Sequence, residues 1–246
     1  MTYFIIKAGT LGTSQPLLPK SKKFSVRILF LLGFLIFIAS AFEPAPTLKL
    51  ALMKYKGGGD WYNDVNSLKN LARFCNENVG TNFDLEHAVV EPSSPDIFNF
   101  PFVYMTGHGN FTLDNDEAEN LRLYLVSGGF LLINDDYGLD PFARLAMKKV
   151  FPELDLIELP FSHPIYHQKY DFPNGLPKVH EHDNKPARGY GLIYEGRLVC
   201  FYNFECDLGD GWDDVHKDPE PIRQKALQMG ANIVAYVFSL KEKKGS

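Results

Sequence analysis

Gly128-Gly129-Phe130-Leu131-Leu132-Ile133-Asn134-Asp135-Asp136-Tyr137-Gly138 reads as a helix stop, a buried strand and a polar crest in direct succession. The two glycines close a helix. Phe130 to Ile133 run apolar without alternation, as a strand covered on both faces does. The chain then turns polar at once, Asn-Asp-Asp. This succession is the unit of an open parallel sheet, whose ligands bind beyond the carboxyl ends of the strands. It predicts an α/β three-layer sandwich with a mostly parallel sheet.

The same grammar extends in both directions. Toward the amino end, Pro101–Thr106 reads as a strand with the crest Gly107-His108-Gly109-Asn110. Asp114 and Glu117 stand at capping-box spacing before a helix that stops at Gly128. Leu48–Tyr55 reads as the first strand, with the crest Gly57-Gly58-Gly59-Asp60-Trp61-Tyr62. Asp64 then caps a helix with apolar positions Val65, Leu68, Leu71, Ala72 and Cys75, and Phe83–Val90 reads as a second strand. Toward the carboxyl end, Pro141–Val150 is an amphipathic helix, and Leu154 to Pro186 an irregular segment rich in Pro, His and Asn. Gly191–Phe204 reads as a hairpin turning at Glu195-Gly196. Asp207–Asp214 follows as a polar loop, and Asp218-Pro219 opens the last helix. One domain is expected over residues 47–240.

Ahead of it, residues 1–41 carry five basic residues and no acidic one, with an apolar run from Ile28 to Phe42 and a small-x-small end at Ala39-Ser40-Ala41. This is the pattern of a cleaved signal peptide, and the alternative is an uncleaved anchor in the inner membrane through residues 28–42. Both readings put the domain in the periplasm or otherwise outside the cytoplasm, with membrane contact only if the segment stays. The net charge is −5, and without those five basic residues the remainder is more acidic still, which argues against nucleic acid as a partner. Three cysteines leave at least one unpaired; Cys200 and Cys206 in one extended strand would stand roughly 20 Å apart, too far for a disulfide.

The three crests together resemble a bacterial family known only as domain of unknown function 4159, placed in the class I glutamine amidotransferase-like superfamily. The Gly-Gly-Phe strand is similar to that of trehalose-utilisation-type proteins. The resemblance covers about residues 47–239. It implies a flavodoxin-like α/β/α sandwich and an exported, often membrane-associated protein. It departs from amidotransferases at the nucleophile: the strand Phe130–Ile133 leads into Asn134-Asp135-Asp136, with no cysteine nearby. Glutaminase chemistry is therefore not expected.

If the crests share one rim, His108, Asp135 and Asp136 are the candidate catalytic groups, with His108 as base, donor or ligand. Alternation predicts that one aspartate faces the cleft and its neighbour points back, capping the next turn. Gly58, Gly59, Asp60, Trp61, Tyr62, Gly107, Asn110, Asp207 and Trp212 are candidate ligand-binding residues, the aromatic ones suited to stacking on a sugar. The three glycines equally suit a loop that needs positive φ. His163, His167, His180 and His182 raise a metal, but Pro164 opposes the helix that a His-x-x-x-His site requires. The metal is left open and no cofactor is assigned. Two functions remain: a non-catalytic module binding a small polar ligand or a protein partner, or a hydrolase or sugar-modifying enzyme built on His108 and Asp135 or Asp136.

Overall fold

The computed structural model describes residues 48–245, with side chains to Ser239. The proposed leader or anchor, residues 1–41, lies outside the described residues. The elements are β1 (Ala51–Met53), α1 (Ser67–Asn78), β2 (Ala88–Val90), β3 (Val103–Met105), α2 (Asn115–Val126), β4 (Leu131–Asn134), α3 (Asp140–Val150), β5 (Ile157–Glu158), β6 (Arg188–Tyr194), β7 (Arg197–Phe204), α4 (Leu208–Trp212) and α5 (Glu220–Gly245). Short 3-10 turns occupy Pro95–Asn99 and Pro164–Tyr166.

The seven strands form one sheet in the order β2-β1-β3-β4-β7-β6-β5. From β2 to β7 the pairing is parallel, and β6 and β5 add antiparallel at one edge. Successive side chains alternate faces, as strand geometry requires. Leu52, Tyr104, Leu132 and Phe201 enter one core with α1, α4 and α5. Met53, Met105, Ile133 and Tyr202 enter the other, with α2 and α3. The result is a mixed, mostly parallel sheet with helices on both faces.

Two expected elements are altered. Phe83–Val90 is not one strand: Phe83 only bridges Leu48, and regular pairing starts at Ala88. Between them the Asp84 carboxylate accepts the Glu86 N–H at 3.0 Å, a local turn that competes with the sheet. Asp207–Asp214 is not a solvated loop. Leu208 to Trp212 form a buried helix, because Leu208 and Trp212, four residues apart, both face the core. The hairpin does turn at Glu195 and Gly196, with φ of 48° and 76°, the two left-handed residues of a type I′ turn.

Candidate functional site

The crests of β1, β3 and β4 meet at the carboxyl rim of the sheet. His108 and Tyr137 form a parallel bridge, and the Gly109 N–H donates to the Tyr137 carbonyl at 3.1 Å. The Gly59 N–H donates to the Asn110 carbonyl at 3.0 Å, stitching the first crest to the second. A side chain at Gly59 would run into the Asn110 and His108 carbonyls, so the close approach requires glycine there.

This stitching sets His108 against Asp60. The Asp60 carboxylate accepts the His108 backbone N–H at 2.6 Å and lies 3.1 Å from its Nδ1. Burial opposes ionisation of Asp60, but these His108 contacts outweigh it and hold the carboxyl below its usual range. Asp136 Oδ2 stands 3.9 Å from the same Nδ1, and the ring remains half exposed.

Behind His108 the network goes inward. Asp136 accepts from the Asn63 and Asn134 amides, and Thr106 Oγ1 lies within hydrogen-bond distance of both Asp136 (3.0 Å) and Asp64 (2.8 Å). The Tyr104 hydroxyl donates to Asp64 at 3.0 Å. Burial, and then the neighbouring carboxylates, push Asp64 and Asp136 well above the carboxylate range.

A third layer comes from the irregular segment and α4. His180 Nδ1 lies 3.1 Å from Asp207 and 3.0 Å from Asp210, while its Nε2 lies 3.0 Å from Asp218. His182 Nε2 is 3.4 Å from Asp207, and His216 Nε2 is 3.3 Å from Asp210. The Asp207 and Asp218 carboxylates raise His180 to about 9 against the opposing effect of burial. Burial favours a neutral Asp207, but His180 and His182 hold it well below its ordinary value. Asp210, buried beside Asp207, is pushed up to about 6.

Residues 49–238 match the model of a family described as a domain of unknown function, DUF4159. The chain belongs to the DUF4159 family. No curated protein matches it.

In this DUF4159 domain the sequence candidates divide. His108, Asp60, Gly59, Gly107 and Asp136 come together at one rim, and Gly58 and Asn110 are exposed beside them. Asp135 is the aspartate that points back: it accepts the Leu139 N–H at 3.2 Å ahead of α3 and lies 3.0 Å from the Tyr202 hydroxyl. It positions the crest rather than reaching His108. Trp61 and the exposed Tyr62 meet edge to face at 5.4 Å, available for a ligand. Trp212 is not: its ring is in the core and its N–H donates to the Ala226 carbonyl at 2.8 Å. Asp207 is a buried partner of the histidines, not a surface contact. Of the histidines, His163 and His167 serve local turns, while His180 and His182 join the site.

Asp210 belongs to the acidic loop the sequence marked out, but Asp64, His216 and Asp218 were not among the sequence candidates. Asp64 and Asp218 read as helix caps, yet α1 begins later, behind Asn66, and both carboxylates turn inward instead. For His216 and Asp218 the only signal is the density of Asp and His between residues 180 and 218, and Asp64 carries none beyond its place ahead of a helix. A groove of about 440 Å³ lies elsewhere, lined among the described residues by Leu48, Phe100, Gly129 and Arg197. Its one cation, Arg197, is occupied by the Leu125 and Gly129 carbonyls, so the chemistry rather than the volume locates the site.

Proposed function

We propose that this domain is an amidotransferase-like, flavodoxin-like scaffold without the thiol nucleophile, exported or membrane-associated, that hydrolyses a small polar substrate. The observation that carries this reading is the Asp60–His108 pair. A carboxylate on Nδ1 fixes the tautomer and orients the ring, leaving Nε2 to take a proton from water and return it to a leaving group. Asp136 supplies a second, protonated acid beneath the ring. Tyr62 and Trp61 offer an aromatic wall suited to a sugar-like ring.

The test is turnover of nitrophenyl esters, amides and glycosides by the full-length chain. Hydrolysis should fall roughly 100-fold or more in His108→Ala. Equal turnover by that variant, or none by the wild type on any of these substrates, removes the reading. A second reading, a non-catalytic module for a polar ligand, is favoured by one observation: all three cysteines are buried. Saccharide binding without turnover, unchanged in His108→Ala, would select it.

A further inference from the structure

We propose that the layer behind His108 is a divalent transition-metal site, with Asp210 as the shared ligand, His180 and Asp207 at one of its oxygens and His216 and Asp64 at the other. Each set offers three ligand atoms within 4.8 Å of one another. Donors at ~2.0–2.2 Å from one ion stand roughly 3–3.5 Å apart. The separations here are 3.0 Å for His180 Nδ1 to Asp210 Oδ2, 3.1 Å to Asp207 Oδ2, and 3.3 Å for His216 Nε2 to Asp210 Oδ1.

Two further observations point to a cation rather than to a plain acidic cluster. Asp64 Oδ1 and Asp207 Oδ1 have no hydrogen-bond partner among the described residues, on side chains only 6% and 1% exposed. Buried oxygens left so are costly unless something cationic meets them. The supporting contacts are those of ligands held from behind: Asp218 takes the far nitrogen of His180, and Tyr104 and Thr106 hold the other oxygen of Asp64. Mixed imidazole and carboxylate donors suit Zn²⁺ or Mn²⁺ better than Mg²⁺, which prefers oxygen.

The inference does not depend on hydrolysis, because metal retention is read without a substrate. The full-length chain is stripped with chelator, loaded with Zn²⁺, Mn²⁺ or Mg²⁺, dialysed and assayed by elemental analysis and titration calorimetry. At least one equivalent of Zn²⁺ or Mn²⁺ should be retained, with affinity roughly 100-fold lower in Asp210→Asn and His216→Gln. His167→Gln, outside the cluster, should bind as the wild type does. Should Asp210→Asn fail to fold, judged by circular dichroism, the more exposed His216→Gln decides alone. No retention, retention of Mg²⁺ only, affinity unchanged in both cluster variants, or loss confined to His167→Gln would each overturn the proposal.

Discussion

His163 is held neutral by its surroundings. Its Nδ1 accepts the Ile165 N–H at 3.2 Å, its ring packs on Tyr236, and burial lowers its pKa below the usual 6.5. The unfolded chain therefore takes up this proton first as pH falls through 6.5, and the native state loses stability from there down to the folded pKa. In His163→Asn, which keeps an acceptor but not the titration, denaturant midpoints between pH 7 and pH 5 should fall less than in the wild type. Parallel curves would show that the residue is not opposed to protonation. The cysteines give a second test at this scale. Burial pushes the Cys75 thiol up to about 12, and Cys200 and Cys206 are raised for the same reason. Ellman's reagent should find no reactive thiol in the native chain at pH 8 and three in denaturant. Individual roles were the least legible part of the sequence. Asp64 and Asp218 carry the same local signature as a helix cap, and only tertiary neighbours, Tyr104 and Thr106 for one and His180 for the other, divert them into the site.

The helix with the fullest local signal, α2, formed where its residues say it should. Asp114 and Glu117 cap α2 reciprocally, Asp114 accepting the Glu117 N–H at 2.9 Å and Glu117 the Asp114 N–H at 2.8 Å. Asp114→Ala should cost about 1 kcal/mol in urea unfolding; a change near zero would mean that Lys56, which pairs with both acids, maintains the end unaided. The short α4 lacks any such local signal, because a five-residue Leu-Gly-Asp-Gly-Trp segment reads as a turn by composition. Its glycines serve packing instead. A Cβ at Gly209 would strike Asp64, the Tyr104 hydroxyl and Asn134. Gly209→Ala should therefore destabilise by about 1–3 kcal/mol and also weaken metal retention, whereas Gly58→Ala, where a Cβ meets nothing, should leave metal retention as it is. Equal effects of the two would remove the argument from close packing.

At the scale of the molecule, the alternation of buried strands with amphipathic helices was enough to predict a mostly parallel sheet with crests at one rim. That prediction brought His108 and Asp136 together before any coordinates. The edge assembly was not legible: the irregular segment from Leu154 to Pro186 has no period, and its position depends on Asn232, which accepts the Lys169 and Tyr170 N–H groups at 2.9 Å. The sheet order has a kinetic corollary. β4 is flanked on one side by β3 and on the other by β7, whose register pairs Leu132 with Phe201, 69 residues later. A nascent chain ending short of Arg197 would present Leu131-Leu132-Ile133 as an open, apolar edge, the template on which strangers pair. Premature termination between the two strands should thus yield inclusion bodies rather than a smaller soluble domain.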